Sequence, residues 1–355
     1  MKIRYAILKT LGIEPRGTTV PTRKLVSQWL ETGGLTGTQF TPAERGRTAV
    51  VYFFIDPEGR HKVAKFWSYR PGAREAVNYL AGAELLNSAG VPIPPVTHVD
   101  GDPAICAKRG FEFIVEDAIN GHTPGPDEVW QPNTIEKIAT GLAAIHAVEG
   151  PDWGRPWAGV VRSDPRREFI TRMKKAKSEI KSASQVDGSS WLHLADQVMD
   201  VLSSAPISKP KLTHGDPHRA NLILAEDDTL YWIDPATVRF DMPEADLAQI
   251  KRRLRSDQLF RDKFIPPYVE ASGVDWADLE QTVAALETWY AIEKVRKGTR
   301  LLERKGPTRR YQLETELKRA LEVLEARSAG TSNRLKKTRA LRRERPSASI
   351  VRQRP

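Results

Sequence analysis

Three polar residues near the middle of the chain have the types and the order that magnesium-dependent phosphoryl transfer requires. Asp216 follows His214 and a glycine, Asn221 comes after four further residues, and Asp234 follows a second apolar run. This chemistry needs a carboxylate beside the attacking hydroxyl, and an amide oxygen and a second carboxylate that hold Mg²⁺ on the phosphates of ATP. Asp216 is therefore the candidate catalytic residue, and Asn221 and Asp234 are the candidate metal ligands.

The segments around these residues predict a β-hairpin that brings the two metal ligands together. Residues 222–224 and 230–233 are short apolar runs with a polar stretch between them, a pattern typical of two antiparallel strands and a turn. Asn221 then enters the first strand and Asp234 leaves the second, so they lie at neighbouring strand ends. Oxygen ligands with few carboxylates suit Mg²⁺. The alternative is a surface hairpin with polar ends.

The stretch from residue 212 to residue 250 resembles the superfamily of aminoglycoside phosphotransferases, choline kinases and fructosamine kinases. The motifs that carry this resemblance are His214-Gly-Asp216, Asn221, Ile233-Asp234 and Asp246-Leu-Ala248. The chain departs from the pattern of protein kinases at Pro235-Ala236, which replaces Phe-Gly and is similar to fructosamine kinases and some antibiotic kinases. It also carries Pro217-His218 where relatives usually have Leu-His or Leu-Trp.

The resemblance implies an α+β, bilobed, protein-kinase-like fold. We expect a small N-terminal lobe with an antiparallel sheet and a helix over residues 1–117, and a larger, mainly helical catalytic and substrate lobe over 118–330. Residues 331–355 are predicted to form a basic, disordered tail. Helical periodicity predicts further helices over these ranges: 22–32, 135–145, 164–182, 278–300 and 311–327.

A lysine in the N-terminal lobe is the candidate for binding the nucleotide phosphates. Residues 50–55 and 62–67 predict a hairpin, and Lys65 follows the apolar start of its second strand. An ammonium group there would neutralise the α- and β-phosphates of ATP. Without the other motifs, Lys65 would be interpreted as a surface residue of an amphipathic strand. The resemblance implies that an acid on the next helix, predicted over 73–89, holds this lysine. Glu75 is the first candidate and Glu84 the second.

The resemblance also implies where the rest of the nucleotide binds. Backbone groups near the end of the strand that begins at Phe111 would pair with the adenine, which makes Val115, Glu116 and Ala118 candidate contacts. A nucleotide loop is expected over 41–48, although that stretch holds a single glycine and is a weak signal.

Other residues are predicted to support the site. His214 would brace the catalytic loop by hydrogen bonds without acting as a base, and Asp246 would cap its helix and hold the loop through backbone amides. His146 is expected to be a packed, structural histidine. His218 and Arg219 would face the acceptor. For Arg219, a solvent-exposed position without a role in binding is an equal alternative.

The composition of the chain is that of an ordinary globular protein. Of its 355 residues, 40% are hydrophobic and 28% are charged, and Cys106 is the single cysteine. One cysteine excludes an internal disulfide framework and fits a reducing compartment. Because no apolar run approaches the length of a membrane span and the N-terminus lacks a secretion-signal pattern, we predict a cytoplasmic location.

The positive charge of the chain is concentrated in its last 25 residues. From Thr331 to Pro355 there are nine Lys or Arg and one acid, which leaves little of the formal net charge of +10 for the rest of the chain. Such a tail can bind nucleic acid or an anionic surface, but a solvated extension without a target is the favoured interpretation.

Together these features predict an ATP- and Mg²⁺-dependent phosphotransferase that acts on a hydroxyl of a small molecule such as a sugar, a sugar-amine or an antibiotic-like acceptor. Between Lys251 and Arg300 there are ten Lys or Arg and eight acids, which favours a neutral or anionic acceptor over a polycation. A Ser/Thr protein kinase of the same fold is the first alternative, although eleven residues between Asp234 and Asp246 leave little room for a peptide platform. A non-catalytic nucleotide-binding adaptor with a nucleic-acid-binding tail is the second.

Overall fold

The computed structural model of the protein describes residues 23–32, 35–43, 49–72, 74–162, 164–181, 192–206, 209–254 and 256–302. Most of the expected nucleotide loop, the helix predicted over 311–327 and the basic tail lie outside these residues. The contacts divide the chain into two compact units. The described residues up to Arg162 and from Lys209 to Asp278 form the first, and those from Asp164 to Pro206 and from Leu279 to Leu302 form the second.

The twelve strands of the described residues all belong to the first unit. They are β1 Thr38–Pro42, β2 Val50–Ile55, β3 His61–Ser68, β4 Val96–Asp100, β5 Phe111–Asp117, β6 Gly121–His122, β7 Trp153–Arg155, β8 Val160–Arg162, β9 Lys211–Thr213, β10 Leu222–Ala225, β11 Leu230–Trp232 and β12 Arg239–Asp241.

The α-helices of the described residues include those predicted over 22–32, 73–89, 135–145, 164–182 and 278–300, and also helices at 103–109 and 192–204 that were not predicted. They are α1 Arg23–Thr32, α2 Glu75–Ser88, α3 Pro103–Arg109, α4 Pro132–Ala147, α5 Pro165–Lys181, α6 Leu192–Ser204, α7 Pro243–Leu254, α8 Asp257–Leu259, α9 Ile265–Ser272 and α10 Trp276–Leu302. Short 3₁₀ turns add Glu128–Trp130, Pro156–Ala158, Arg219–Asn221 and Pro235–Thr237, and a π-helical turn spans Phe260–Phe264.

A five-stranded antiparallel sheet positions the lysine side of the site. Its strand order is β1-β2-β3-β5-β4, so β3 lies at the centre with β2 and β5 on either side. Tyr52, Phe66 and Phe113 belong to a buried cluster on one face of this sheet, because alternate side chains of a strand point to the same face. Lys65 is the neighbour of Phe66 on β3, so its side chain points to the other face of the sheet.

Helix α2 packs on that other face and begins through a cap supplied by a neighbouring strand. Arg74 has a left-handed backbone (φ 50°) and its side chain makes no capping bond. Instead, the buried carboxylate of Glu112 on β5 accepts hydrogen bonds from the N–H groups of Glu75 and Ala76, each at 3.0 Å. Unpaired N–H groups at a helix start need such acceptors, so this contact fixes where α2 begins.

Two small sheets carry the catalytic segment. The predicted hairpin is present: β10 pairs with β11 in the register Leu222 to Trp232 and Leu224 to Leu230, and β6 extends it on the other side. The second sheet has the order β8-β7-β12-β9. Its three-residue strands were not predicted, because a strand this short has too few residues to show an alternating pattern.

The second unit is helical. Phe169 of α5 and Trp289 of α10 meet edge to face with ring centroids 4.8 Å apart, and the indole N–H of Trp289 donates to the carbonyl oxygen of Phe169 at 3.2 Å. Arg296 joins Glu293 and Glu179 at 2.7 and 2.9 Å. Among the described helices of the chain, none is long and apolar enough to cross a membrane.

Candidate active site

The catalytic loop after β9 is held in place by a buried carboxylate of α7. Asp246 is fully buried and accepts hydrogen bonds from the N–H groups of His214 at 2.6 Å and Gly215 at 3.0 Å. Hydrogen bonds to a charged acceptor are the stronger kind, and both donors lie immediately before Asp216. The structure thus places Asp246 at the loop that carries the candidate base.

Gly215 is required by the conformation of this loop. Its φ is +83°, and a Cβ there would overlap the carbonyl oxygen of Thr237. The hydroxyl of Thr237 donates to the carbonyl oxygen of His214 at 2.8 Å, and the side-chain amide of Gln249 donates to that of Gly215 at 2.9 Å. A left-handed backbone in such close contact is accessible only to glycine.

His214 takes part in this loop through its backbone. Its ring is fully buried and packs against Trp232 with the centroids 5.3 Å apart. Burial lowers the pKa of His214, which nearby acids offset only in part. Neither ring nitrogen has a hydrogen-bond partner among the described residues. His214 therefore contacts the loop through its backbone N–H and carbonyl oxygen, and its bracing role stays a prediction.

The carboxylate of Asp216 has two partners. Nη2 of Arg253 lies 2.9 Å from its Oδ1, and Nε2 of His218 lies 3.3 Å from its Oδ2. Nδ1 of His218 accepts the N–H of Ala220 at 3.1 Å, so Nε2 carries the ring proton and donates to Asp216. Burial raises the pKa of Asp216, but the hydrogen bond from His218 and the charge of Arg253 outweigh it and the pKa is lowered. The group is ionised at neutral pH.

Sequence reasoning missed Arg253, although a signal for it existed. Asp246, Gln249 and Arg253 follow one another at intervals of three and four residues on α7. This is the spacing that places side chains on one face of a helix. Asp246 contacts the loop that carries Asp216. Arg253 lies on the same face of α7, nearer its C-terminal end, and therefore reaches Asp216.

The candidate metal ligands lie at the joined ends of the hairpin. The N–H of Ile233 donates to the carbonyl oxygen of Asn221 at 2.9 Å, which places Asn221 beside the residue before Asp234. The side-chain N–H of Asn221 donates to the carbonyl oxygen of Asp216 at 2.9 Å and so leaves Oδ1 as the outward acceptor. Within the described ranges, the Asp234 carboxylate has no hydrogen bond or ion pair. One amide oxygen and one open carboxylate fit Mg²⁺.

Asp234 has an unusual backbone for a residue with a side chain. Its φ is 61° and its ψ is 53°, in the left-handed region. Such a conformation costs on the order of 1 kcal/mol and persists where the surroundings enforce it, commonly at functional sites. The Pro235–Thr237 turn that follows fixes it, because Gly82 of α2 packs directly on the carbonyl group of Pro235.

Lys65 is held by a carboxylate from β5 and by a tyrosine from α2. Its Nζ lies 2.6 Å from Oε1 of Glu116 and donates to the hydroxyl of Tyr79 at 2.6 Å. That hydroxyl donates in turn to Glu116. Burial and the neighbouring charge of Glu116 raise the pKa of Tyr79 well above its ordinary value, and the backbone of Asp234 contacts the same group. Tyr79 therefore links the lysine to the candidate metal ligand.

The expected pairing of Lys65 with Glu75 or Glu84 was wrong. Glu75 is the first residue of α2, and Tyr79, one turn further on, is the side chain that reaches the lysine. Glu84 is exposed. Glu116 takes their place because residues 63 and 116 are paired in the β3–β5 ladder, which puts its side chain on the same sheet face as Lys65.

The candidate adenine contacts lie at the end of β5. Val115 and Glu116 are paired with β3 on one side and β4 on the other. The N–H of Ala118 donates to the carbonyl oxygen of His61 at 3.0 Å, so this donor is already engaged. Adenine pairing by backbone groups at 115–118 stays a prediction, and the N–H of Ala118 is not available for it in this state.

Two further residues have structural contacts. His146 is buried, its Nδ1 lies 2.9 Å from the hydroxyl of Tyr268 and its Nε2 lies 3.5 Å from Asp246. Arg219 donates to the carbonyl oxygen of Pro124 at 3.2 Å. His146 is therefore a packed histidine, as predicted, that lies beside Asp246.

Comparison with known proteins identifies the family of the chain. The model of the phosphotransferase enzyme family matches residues 39–282, a range that includes Lys65, Asp216, Asn221 and Asp234. The chain belongs to this family. As a member of the phosphotransferase enzyme family it is an enzyme, as the residues predicted. No curated protein sequence matches the chain.

Solved structures show the fold of this phosphotransferase. A protein assigned as a fructosamine-3-kinase from Haemophilus somnus 129PT is 18% identical with a TM-score of 0.56, over 84% of this chain and 96% of the other. A macrolide 2′-phosphotransferase type I is 18% identical with a TM-score of 0.59, over 86% and 99%. A thermostable mutant of aminoglycoside phosphotransferase APH(4)-Ia, in a ternary complex with ADP and hygromycin B, is 16% identical with a TM-score of 0.62, over 86% and 98%. The predicted α+β, kinase-like fold and superfamily are confirmed.

Proposed function

We propose that this phosphotransferase moves the γ-phosphoryl group of ATP, with Mg²⁺, to a hydroxyl of a small molecule. The observation that carries the proposal is the arrangement of Asp216, Asn221 and Asp234, which the side-chain bond from Asn221 to the backbone of Asp216 and the hairpin register bring to one place. The ADP bound to the related APH(4)-Ia mutant supports the use of a nucleotide.

Asp216 would act on the acceptor hydroxyl. Phosphoryl transfer passes through a loose transition state, so catalysis comes mainly from positioning and neutralisation of charge. An ionised carboxylate can orient the hydroxyl by accepting its hydrogen bond and can take the proton late in the reaction. Its lowered pKa is compatible with this role, because the proton moves when the acceptor oxygen has already become acidic.

Asn221 and Asp234 would hold Mg²⁺, and Lys65 would bind phosphate oxygens. When bound, the metal ion supplies charge neutralisation on the phosphates. Lys65 is already fixed by Glu116 and Tyr79, so less side-chain freedom is lost when it meets a phosphate. The predicted nucleotide contacts that stay predictions are those of Glu75, Val115 and Ala118.

The surroundings of Asp216 support a neutral or anionic acceptor, such as a sugar or a glycated amine. Arg253 and His218 both contact the carboxylate, so an acceptor hydroxyl that approaches it meets a guanidinium group. A polycation would be repelled there unless acids elsewhere offset the charge. This supports a sugar or sugar-amine acceptor over a polycationic antibiotic.

A Ser/Thr protein kinase is the weaker alternative. Nine of the eleven residues between Asp234 and Asp246 belong to the Pro235–Thr237 turn, strand β12 and the start of α7. Strand β12 lies inside its sheet between β7 and β9, so this segment offers no free edge for a peptide. A binding adaptor without catalysis would not need Asp216, and its proposed basic tail lies outside the described residues. A cytoplasmic location also remains a prediction, which fractionation of cells would test.

An assay of phosphate transfer tests the proposed function. Purified protein is incubated with [γ-³²P]ATP, Mg²⁺ and a panel of sugars, glycated amines and aminoglycosides, and labelled products are separated. We expect transfer to a neutral or anionic acceptor and a loss of about 10³-fold or more in Asp216→Ala. Glu84→Gln, an exposed site, is the matched carboxylate control. Equal turnover by Asp216→Ala would refute the catalytic assignment.

A further inference from the structure

The structure contains a cavity that is lined by arginines and by none of the candidate catalytic residues. It has a volume of about 290 Å³ and is bordered by the segment before α2, the β7–β8 hairpin and the start of β12. Four arginines contribute to its wall: Arg74, Arg155, Arg162 and Arg239. None of Lys65, Asp216, Asn221 and Asp234 lines it, so the candidate active site does not account for this cluster.

Acids approach two of these arginines. Asp241 pairs with Arg239 at 2.6 Å, and Glu75 faces Arg155 and Arg70. Burial and the neighbouring Glu112 raise the pKa of Glu75, which weakens it as a counterion. Because guanidinium groups stay protonated in proteins, four positive charges line this one cavity.

Arg155 experiences the charges of its neighbours directly. Burial, followed by the charge of Arg239, lowers its pKa, and Arg162 acts in the same direction while Glu75 opposes them. Within the described part of the chain, its one hydrogen bond runs from Nε to the carbonyl oxygen of Val238 at 3.2 Å. That bond directs the guanidinium group and leaves its terminal N–H donors for a ligand. An anion in the cavity would relieve the repulsion between like charges.

The backbone presents these arginines on a fixed frame. Gly154 has a φ of +99°, and a Cβ there would overlap the carbonyl oxygen of Val160 on the paired strand. Arg155 is paired with Val160, and Gly154 is paired with Phe240, the neighbour of Arg239, on the other side. Strands β7, β8 and β12 thus bring three arginines together without a long, adaptable loop, as a preorganised site requires.

We propose that this cavity is a second anion site, which binds a phosphate group, either as the free ion or on a small metabolite. The planar fork of a guanidinium group matches the oxygens of phosphate and binds them through paired hydrogen bonds. The volume suits a small ligand and is at the lower end of the range for pockets of drug-sized molecules. The site is separate from Lys65 and does not depend on the proposed reaction.

Binding of radiolabelled orthophosphate by equilibrium dialysis, at constant ionic strength and without nucleotide, tests the site. We expect saturable binding to the full chain and a loss of roughly tenfold or more in affinity for Arg155→Gln. Arg162→Gln, at an exposed position, should weaken binding in the same direction and keeps the test valid if Arg155→Gln fails to fold. Lys65→Met and Arg261→Gln, a matched arginine on the exposed surface, should bind phosphate as the parent does.

Three results would overturn the proposal: no saturable binding by the parent chain, unchanged binding by folded Arg155→Gln and Arg162→Gln, or a loss confined to Lys65→Met. The last would assign the ion to the nucleotide site. Competition by glycerol 3-phosphate, with glycerol as its neutral control, tells the two ligand sources apart. Tighter binding of the ester than of orthophosphate indicates a metabolite, and the reverse order indicates the free ion.

Discussion

At the scale of single residues, the candidate site combines side chains that come from separate elements. Lys65 comes from β3, Glu116 from β5 and Tyr79 from α2, and their three contacts form one closed network. A network of charge-assisted bonds in a buried place is stronger than its separate pairs. The nucleotide lysine is therefore positioned by the sheet itself, through Glu116, more than by an acid on the helix.

Substitution of Glu116 tests this network. Glu116→Gln removes the charge that faces Lys65 and keeps the size of the side chain. A hydrogen bond to a charged group contributes about 1.5–3 kcal/mol, so we expect KM for ATP to rise roughly tenfold or more, with a smaller change in KM for the acceptor. Steady-state kinetics measure both constants. Glu84→Gln, at an exposed position, serves as the control. A larger effect of Glu75→Gln than of Glu116→Gln would restore the pairing first expected from the sequence.

The hydrogen bond from His218 and the charge of Arg253 both lower the pKa of the candidate base Asp216. Arg253→Gln removes a positive charge 2.9 Å from the Asp216 carboxylate, so the pKa of Asp216 rises. Since Asp216 acts in its ionised form, activity at low pH falls and the acid limb of the kcat/KM profile moves to higher pH. Arg261→Gln should leave that limb in place. An acid limb that stays unchanged or moves to lower pH in Arg253→Gln would contradict this role.

Much of the residue-level site could be predicted because its motif is local. Asp216, Asn221 and Asp234 lie within one short segment, and the apolar runs around them determine a hairpin. Glu116, Tyr79 and Arg253 could not be found in the same way. The partner of Lys65 depends on the register between β3 and β5, and a register is a long-range property that the spacing within one segment does not contain.

At the scale of elements, α7 organises the catalytic loop. One face of this helix supplies Asp246 to the loop amides, Gln249 to the carbonyl of Gly215 and Arg253 to the base. Displacement of the helix would move all three contacts together. The sequence predicted helices α1, α2, α4, α5 and α10, because patterns over many residues determine them, but it did not predict α6. The short strands β7, β8, β9 and β12 depend on their partners.

Substitution of Gly215 tests how closely the loop is fitted to the turn after Asp234. Gly215→Ala combines a positive φ with an overlap on Thr237, so we expect a loss of roughly 1–3 kcal/mol in the free energy of unfolding and a large fall in kcat. Gly273→Ala is the matched control, since its φ is +68° and nothing lies within 4 Å of a Cβ there. Urea unfolding and kcat measure the two effects. Equal losses in both variants would show that the overlap is unimportant.

At the scale of the whole molecule, nucleotide binding should stabilise the folded chain. Lys65 lies on the five-stranded sheet and Asp234 follows the hairpin, so a nucleotide that contacts both residues binds the folded state and not the unfolded chain. A ligand present at 100 times its Kd stabilises the folded state by about 2.7 kcal/mol. We expect ATP with Mg²⁺ to raise Tm, and Lys65→Met to reduce the shift. An equal shift in this variant would place the nucleotide elsewhere.

The most direct test of the central claim is a crystal structure with a non-hydrolysable ATP analogue and Mn²⁺, whose anomalous scattering locates the metal ion. It needs no knowledge of the acceptor. We predict an anomalous peak within bonding distance of the Asn221 amide oxygen and the Asp234 carboxylate. Phosphate oxygens should contact Lys65, and the γ-phosphate should face Asp216. A nucleotide and metal ion bound away from these four residues would contradict this claim.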